Sequence, residues 1–525
     1  MSRKLSLLVL VSLSAILLSI PFLVPGTGFL SLIALVPLLS AEALAKESGM
    51  KGFFWWHYLC FLMWNAATTF WVCNATVGGG IFAVVANAFQ MSLVFSLFRW
   101  SRKHLDGVLP YLFLAFAWVA WERWYLTLSQ ISWPWLVLGN SFARTTGWIQ
   151  WYEFTGTLGG SLWIWAANLG VFGMLEAFRS GRWKGFNPKA KAASVCGVIL
   201  LFIAPPAVSL SLRPEPAEDE MEVFIAQPNI DVYGKHGGQT QAEQNDILLG
   251  LLDGAPRDSA VLLIAPETFT SDIIMNDVEA SPTVASLEAF LASRPLAGLL
   301  FGASTWEYLP GRARPSQTAR EVAGGRWVES HNTAIVLENG RAPETYHKNK
   351  LVVGVEMMPY PGFFRPIDEK LGGVMGRCIG DGKAKALTYR DVRLGCAICY
   401  ESVYGEFCAD YVRDGARLLT VITNDAWWGD TPGYRQHLSY ASLRAIETRR
   451  WIARCGNTGI SAIIDPTGRI VSKTSWWEPA TLRGKVGLSD EQTFFVRHGD
   501  FTGRICVLMF VLMLLGAVVR RLTGR

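Results

Sequence analysis

The sequence predicts a multi-span α-helical membrane bundle of about eight transmembrane helices, joined to an exported α/β domain. Three observations lead to this prediction. Seven apolar stretches of helical length precede residue 212, and an eighth lies close to the C-terminus. The polar segment 213–220, which contains two prolines, then ends the apolar region. Beyond it, strand-like runs alternate with helical patterns, which is typical of a layered α/β domain.

The apolar stretches are long enough to cross a bilayer, whose hydrocarbon core of about 30 Å needs about 20 helical residues. Charged residues make up 17% of the chain, against roughly 25% in an average soluble protein. Arg3 and Lys4 before the first stretch could indicate a secretory signal, but six further spans before residue 212 favour a membrane anchor. The predicted spans are residues 5–22, 27–45, 53–73, 80–98, 107–127, 159–178, 192–211 and 503–519.

Lysine and arginine residues concentrate in alternate connections between these spans, as they do in cytoplasmic loops. The clusters lie at residues 3–4, 46–51, 99–103, 179–191 and 520–525. This pattern predicts a cytoplasmic N-terminus and an exported position for the large domain. In a bacterium, the protein is then a multi-pass inner-membrane protein with that domain in the periplasm. The net charge of +5 forms no single basic stripe, so no nucleic-acid partner is expected.

Glu122 and Arg123 fall inside the fifth predicted span. A charge at the middle of a bilayer costs about 2.5 to 3.5 kcal/mol, so each of these side chains needs a partner. Two interpretations stay open: an ion pair, mutual or between helices, that holds the bundle together, or a polar cavity for a lipid headgroup.

Three domains are predicted: a membrane domain at residues 1–212, a periplasmic α/β domain at 213–500, and a C-terminal span with its tail at 501–525. The α/β domain contains the strand-like runs 221–230, 260–269, 297–305, 331–340, 386–401, 416–428 and 460–471. Helical patterns lie at 241–252, 283–293 and 434–452. Strands followed by helices indicate packed layers of about 270 residues in this region.

Three stretches of this domain each carry one reactive side chain: Glu267 in VLLIAPETF, Lys348 in ETYHKNKLV and Cys399 in VRLGCAICYE. A carboxylate, an amine and a thiol are the groups that acyl transfer needs. Each is ambiguous alone, because Glu267 could cap a helix, Lys348 could be a solvated loop charge and Cys399 could be a small core residue. Cys399 ends an apolar run, which predicts a strand-to-helix turn with backbone N–H groups near the thiol.

Cys396 and Cys399 form a C-x-x-C pair, which raises thioredoxin-like and zinc chemistry as alternatives. The sequence has no second C-x-x-C, and positions three apart in a strand point to opposite faces, so both alternatives are disfavoured. No cluster of histidines and carboxylates has metal-ligand spacing. The sequence therefore predicts neither a metal nor a cofactor.

The motifs along nearly the whole chain resemble those of the bacterial apolipoprotein N-acyltransferases, membrane-embedded members of the nitrilase or carbon-nitrogen hydrolase superfamily. The shared stretches are PET at 266–268, Y-x-K-x-x-L-V at 346–352, ICYE at 398–401, NDAWWGD at 424–430, QH at 436–437, R-x-x-E-x-x-R at 444–450, NTG at 457–459 and PWLVLGNS at 134–141. The resemblance implies a nitrilase-like αββα sandwich for the exported domain. It also implies a catalytic triad in which Glu267 is the general base, Lys348 stabilises the oxyanion and Cys399 is the nucleophile.

The resemblance further implies supporting roles for Glu356, Tyr400 and Glu401. Glu356 is carried over by its spacing, because the family's P-F-G-E is V-G-V-E in this chain. A second departure concerns a tryptophan that often follows Q-x-N-I in the family. The residues that stand there after QPNI include Tyr233, Lys235 and His236.

The implied reaction is ping-pong acyl transfer with two lipid partners. Cys399 takes a fatty acyl group from a phospholipid as a thioester, and the α-amine of a diacylglyceryl-modified N-terminal cysteine of an apolipoprotein receives it. One alternative is a membrane-bound nitrilase-type amidase acting on a small amide, for which a single anchor would suffice. Another is a transporter or sensor whose exported domain only binds a ligand, which would not need a thiol at position 399.

Overall fold

The computed structural model describes residues 3–231, 238–311, 316, 318–370, 373 and 375–524. Tyr233, Lys235 and His236, the candidates for the family tryptophan, lie outside the described residues. The chain divides into two compact units. The first comprises Met1–Ser129, Trp133–Arg213 and His498–Arg525, and the second comprises Gln130–Ser132 and Pro214–Arg497.

The α-helices form the first unit and the outer layers of the second. In chain order they are α1 Arg3–Leu23, α2 Val36–Glu47, α3 Phe54–Thr69, α4 Val72–Ala75, α5 Val77–Ser101, α6 Leu109–Thr127, α7 Tyr152–Arg179, α8 Arg182–Gly185, α9 Pro188–Ser211, α10 Gln241–Leu252, α11 Pro282–Ala292, α12 Pro361–Lys370, α13 Gly405–Arg413, α14 Pro432–Thr448, α15 Phe494–His498 and α16 Phe501–Thr523. Short 3-10 helices lie at Gly28–Leu32, Pro134–Leu136, Leu138–Phe142, Thr146–Trp148, Val278–Ala280, Cys399–Val403 and Asp425–Trp428.

In the part of the chain that the structure describes, six helical segments are long and apolar enough to cross a membrane. They are Arg3–Leu23, Gly28–Glu47, Val77–Ser101, Tyr152–Arg179, Pro188–Ser211 and Phe501–Thr523. These segments coincide with six of the eight predicted spans. The other two predicted spans are also helical but are not among these six. Helix α3 is shorter, with 16 residues, and α6 has 19 residues, Glu122 and Arg123 among them. The predicted helical membrane bundle is confirmed.

The two charged residues of α6 have separate partners. Arg123 Nε lies 3.3 Å from Oδ2 of Asp500, at the start of α16, so Arg123 forms the ion pair between helices that the sequence left open. Glu122 is buried, and its Oε1 accepts hydrogen bonds from Trp118 Nε1 at 3.0 Å and from Leu138 N at 2.8 Å. Glu122 therefore holds part of the PWLVLGNS segment against α6.

The strands of the second unit form two mixed sheets. In chain order they are β1 Asp219–Gln227, β2 Val261–Ile264, β3 Thr270–Ile274, β4 Ala297–Leu309, β5 Arg320–Val322, β6 Arg326–Glu338, β7 Glu344–His347, β8 Leu387–Tyr389, β9 Val392–Ile398, β10 Leu418–Thr423, β11 Ile452–Gly456, β12 Ala462–Ile464, β13 Ile470–Lys473 and β14 Ala480–Leu488. Among the described residues, the first sheet has the order β14-β1-β2-β4-β6-β5, with β3 beside β4 and β7 beside β6. The second has the order β13-β12-β11-β10-β9-β8.

The two sheets pack face to face between helices. Tyr389 lies at the end of β8 in the second sheet, and its hydroxyl reaches two backbone carbonyl oxygens at the first sheet. It is 3.1 Å from Val261 O and 2.7 Å from Leu296 O, and it donates to both. Helices α10 and α11 cover the first sheet, and α13 and α14 cover the second. The parallel strands β2 and β10 are buried along their whole length, as expected for strands covered on both faces. The predicted α/β sandwich is confirmed.

Candidate active site

Glu267 lies in the loop that follows β2, and β4 holds this loop by backbone hydrogen bonds. Gly302 N donates to Pro266 O at 3.0 Å, and Phe269 N donates to Gly302 O at 2.7 Å. The close approach requires a glycine at 302, because a Cβ there would lie 2.6 Å from Cα of Glu267. Glu267 is thereby fixed at the end of a buried parallel strand.

Replacing Gly302 with alanine is expected to displace Glu267, since the backbone of the loop and not a flexible side chain blocks the new methyl group. A displacement of about 1 Å can lower a catalytic rate about 100-fold, and overpacking costs about 1 to 3 kcal/mol of stability. The matched control is Gly250→Ala in α10, where a Cβ meets no atom within 4 Å. Acyl-transfer rates and melting temperatures measure both effects, and a fully active Gly302→Ala enzyme would show that the loop tolerates the shift.

Lys348 follows β7 directly, and its ammonium group lies between two carboxylates. Its Nζ is 3.1 Å from Oε1 of Glu267 and 2.9 Å from Oε1 of Glu356. Asn332, on the neighbouring strand β6, donates from Nδ2 to the same two oxygen atoms at 2.7 Å each. These four side chains therefore form a closed ring of hydrogen bonds. The other oxygen of Glu267, Oε2, accepts the backbone N–H of Asn424 at 3.1 Å.

Cys399 lies at a sharp turn after β9. Its φ is 50°, in the left-handed region that residues other than glycine rarely adopt. The backbone carbonyl of Cys399 accepts a hydrogen bond from Ser402 Oγ at 2.7 Å and lies 3.0 Å from His437 Nε2. The predicted strand-to-helix turn is present, because β9 ends at Ile398 and the 3-10 helix Cys399–Val403 follows directly. Cys396 is buried in β9, and both cysteines are free thiols.

The charges of the three predicted catalytic residues act on one another. Burial lowers the pKa of Lys348, but the carboxylates of Glu267 and Glu356 outweigh burial and hold this pKa well above its usual value. Burial raises the pKa of the Cys399 thiol well above its usual value, the charge of Glu267 raises it further, and Lys348 opposes this rise. At neutral pH the site therefore contains an ammonium group and a neutral thiol, so the thiol needs a base in order to react.

Glu401 connects the turn that carries Cys399 with the loop that carries Lys348. Its buried carboxylate accepts hydrogen bonds from the backbone N–H groups of Asn349, Lys350 and Ile398, at 2.7, 3.2 and 2.9 Å, and from the hydroxyls of Tyr346 and Tyr411, at 2.7 and 3.0 Å. Burial raises the pKa of Glu401, and the hydrogen bonds from Ile398 and Asn349 limit this rise. Glu401 thus fixes the spacing between the two loops.

Tyr400 forms its hydrogen bond with the segment Gln130–Ser132. Its hydroxyl donates to the backbone carbonyl of Ser132 at 3.0 Å, and the Ser132 hydroxyl lies 2.9 Å from the hydroxyl of Tyr404. The rings of Tyr400 and Tyr404 are in edge contact, with centroids 5.2 Å apart. Both tyrosines therefore bind the segment Gln130–Ser132. Burial raises the pKa of Tyr404 to about 12, so its hydroxyl stays protonated at neutral pH.

The structure thus brings Glu267 and Glu356 into direct contact with Lys348, and Cys399 is close enough for its thiol to respond to the charges of Glu267 and Lys348. Glu401 contacts the backbone on both sides of this group but none of these four side chains.

Sequence reasoning missed two groups of residues around the site. Asn332 was not singled out, because nothing in HNTAIVLENG distinguishes a side chain that bridges two distant carboxylates. Asp425, His437 and Arg454 form a buried cluster behind Cys399. Two of these three lie in the NDAWWGD and QH motifs, which was the available signal.

The buried cluster does not fit a metal ion, although two of its members and the neighbouring Cys399 have ligand-type atoms. Cys399, Asp425 and His437 offer such atoms within 4.8 Å of one another. Arg454 Nη2, however, lies 2.6 Å from Oδ2 of Asp425 and neutralises the carboxylate that a cation would need. Burial tends to raise the pKa of Asp425, but Arg454 and His437 outweigh it and lower this pKa to about 2.

Comparisons with known proteins agree with this architecture. Residues 14–170 match the family model of the apolipoprotein N-acyltransferase N-terminal domain, and residues 234–494 match that of carbon-nitrogen hydrolases. Apolipoprotein N-acyltransferases from Chlorobaculum tepidum and Geobacter metallireducens are 31% and 28% identical over 508 and 519 residues. Each alignment covers 94% of this chain and 92% of the relative. A solved carbon-nitrogen hydrolase superfamily protein from Xanthomonas campestris is 19% identical, with a TM-score of 0.35 over 51% of this chain and 91% of that one.

The fold and the site define a membrane protein with a carbon-nitrogen hydrolase domain. More narrowly, the chain belongs to the apolipoprotein N-acyltransferase family. It is accordingly an acyltransferase.

Proposed function

We propose that this protein transfers a fatty acyl group from a phospholipid, through a thioester on Cys399, to the α-amine of the N-terminal diacylglyceryl-cysteine of an apolipoprotein. Membership of the apolipoprotein N-acyltransferase family supports the acceptor. The observation that carries the mechanism is the arrangement of Glu267, Lys348 and Glu356 beside a neutral, buried thiol.

In the first half-reaction, Glu267 removes the proton of Cys399 while sulfur attacks the acyl ester carbon. Oε1 of Glu267 already accepts two hydrogen bonds, from Lys348 and Asn332, whereas Oε2 accepts one from Asn424. Oε2 is therefore the oxygen atom with capacity left for the thiol proton. As the ester C–O bond breaks, Glu267 returns this proton to the departing lysophospholipid oxygen.

Lys348 is suited to stabilise the tetrahedral oxyanion that forms between these two events. Its ammonium group stays protonated, because Glu267 and Glu356 hold its pKa well above its usual value. Glu356 also accepts the backbone N–H of Val352 at 2.8 Å, which keeps its second oxygen occupied. A single donor to an oxyanion contributes about 3 to 4 kcal/mol of transition-state stabilisation.

In the second half-reaction, the acceptor amine attacks the thioester carbon. The C–S bond breaks, an amide bond forms, Glu267 takes the proton from the attacking nitrogen, and the sulfur atom of Cys399 is protonated again. Water would hydrolyse the thioester, so this mechanism needs a site from which water is excluded. An amidase with the same residues would instead use water at this step.

The proposal includes the topology predicted from the basic clusters. Residues 213–500 would lie in the periplasm of a bacterial inner-membrane protein, where both lipid partners present their headgroups. The concentration of Lys and Arg in alternate connections supports this orientation.

Mass spectrometry of the full-length protein tests the proposal directly. After exposure to phospholipid without an acceptor, we expect a fatty-acyl adduct on the peptide that contains Cys399, and its loss when an apolipoprotein peptide with a free α-amine is added. Cys396→Ala is the matched control, because Cys396 lies in β9, three residues away, and should leave the adduct unchanged. An adduct on a different cysteine, or none at all, would overturn the mechanism.

The same experiment separates acyl transfer from the amidase alternative. An amidase acting on a small amide would leave the phospholipid acyl group in place or pass it to water as a free fatty acid, whether or not the acceptor amine is present. Acyl transfer predicts instead that the label from the phospholipid moves quantitatively to the acceptor peptide as an amide.

A further inference from the structure

The backbone of Cys399 is held by a buried histidine that the proposed mechanism does not use. His437 Nε2 lies 3.0 Å from the carbonyl oxygen of Cys399, which also accepts Ser402 Oγ at 2.7 Å. With φ at 50°, Cys399 has a strained backbone conformation that persists only where the surrounding structure enforces it. The two hydrogen bonds to its carbonyl supply that enforcement.

The orientation of His437 is itself fixed by a buried carboxylate. Its Nδ1 lies 2.9 Å from Oδ1 of Asp425, and the same oxygen accepts Thr423 Oγ1 at 2.8 Å. Arg454 Nη2 donates to Oδ2 of Asp425 at 2.6 Å. His437, Asp425 and Arg454 are each at most 1% exposed, so the cluster is shielded from water.

The end of β10 connects this cluster to Glu267. The backbone N–H of Asn424 donates to Glu267 Oε2 at 3.1 Å, while the next residue, Asp425, holds His437. The oxygen atom proposed to take the thiol proton and the backbone that carries the thiol are therefore held by two consecutive residues. A shift of the histidine would change the position of Cys399 relative to Glu267.

We infer that His437 is a positioning residue for the nucleophile, which donates from Nε2 to the carbonyl oxygen of Cys399 and keeps the thiol in place beside Glu267. Nε2 also lies 3.0 Å from Ser402 Oγ, but that hydroxyl gives its one proton to the same carbonyl oxygen. Both neighbours of Nε2 are therefore acceptors, so Nε2 must carry a proton. This inference rests on the proposed function of Cys399 as the acyl carrier. It assigns to His437 a hydrogen bond to the backbone of the nucleophile and no proton transfer.

Two substitutions at the same position separate this donor from bulk packing. In His437→Gln the side-chain amide nitrogen can occupy the place of Nε2, whereas in His437→Asn it reaches only the place of Nδ1. We expect the rate of Cys399 acylation to fall about 10-fold to 100-fold in His437→Asn, as for a displaced nucleophile, and to stay within about 5-fold of wild type in His437→Gln. The KM for phospholipid should change in neither variant. Ser439→Ala is the control on the same helix, because the hydrogen bond that Ser439 Oγ makes among the described residues stays within α14, to Gln436 O.

Acyl adducts, melting temperatures and iodoacetamide alkylation of Cys399 are measured on all four proteins. Equal slowing in His437→Gln and His437→Asn, or acylation of His437→Asn at the wild-type rate, would overturn the role of the Nε2 donor. Absence of an adduct on the wild-type protein would instead contradict the proposed function. Alkylation needs no acyl donor and should slow in the same order, so equal alkylation of wild type and His437→Asn would refute the inference on its own.

Discussion

Replacing Cys399 with serine is expected to abolish the acyl adduct and to lower acyl transfer by at least about 1000-fold, as for loss of a catalytic nucleophile. Serine is nearly the same size as cysteine and can adopt the same turn, so the fold should persist. An alcohol is a far weaker acid than a thiol, and the nucleophile must be activated by its neighbouring base. The Cys399 site already disfavours the ionised form, because burial and the charge of Glu267 raise the pKa of the group at this position.

The measurement uses membranes with labelled phospholipid and an acceptor peptide, and it compares Cys399→Ser with Cys399→Ala and Cys396→Ala. The first two variants should be equally inactive, and the third should be active. Unchanged melting temperatures would show that loss of the thiol, and not unfolding, causes the inactivity. Transfer at the wild-type rate by Cys399→Ser would exclude a thioester intermediate.

The sequence predicted three helices of the α/β domain to within a few residues, but it did not predict α12, α13 and α15. The predicted helices 241–252 and 283–293 are found at Gln241–Leu252 and Pro282–Ala292. The predicted strand 386–401 is in fact the hairpin of β8 and β9, with Arg390 at φ 56° in the turn. No glycine, asparagine or proline marks that turn, so the run appeared continuous in the sequence. The predicted helix 434–452 ends at Thr448, because the chain enters β11 at Ile452.

The positions of Glu267 and Cys399 after strands were predictable from the apolar runs that precede them, whereas Lys348 and the roles of all three residues came from the family resemblance. The partners of these residues were not predictable, because they depend on which strands pair. Asn332 meets Glu267 only because β6 lies beside β4, which holds the Glu267 loop. His437 reaches Cys399 only because α14 packs on the turn after β9. Sequence separations of 65 and 38 residues leave no local pattern for either contact.

Glu267→Gln is expected to lower acyl transfer about 100-fold to 10,000-fold, the usual contribution of a positioned general base. Glutamine has the same shape, and its one amide oxygen can take the place of Oε1 and accept from Lys348 and Asn332, which leaves its amide nitrogen facing the backbone N–H of Asn424. It cannot take the thiol proton. The melting temperature should therefore fall only modestly, while formation of the Cys399 adduct becomes slow.

The same substitution should make Cys399 more reactive toward iodoacetamide at a fixed pH, and this opposite change distinguishes a base from a structural carboxylate. The negative charge of Glu267 raises the pKa of Cys399, whereas Lys348 lowers it. Removing the carboxylate while Lys348 remains therefore lowers the pKa of the thiol, and the onset of alkylation should move to lower pH than in the wild-type protein. Alkylation that shifts to higher pH in Glu267→Gln would mean that the charge of Glu267 does not act on the thiol in this way. Faster alkylation together with slower acylation would show that Glu267 moves the proton during the reaction and does not merely increase the fraction of thiolate at rest.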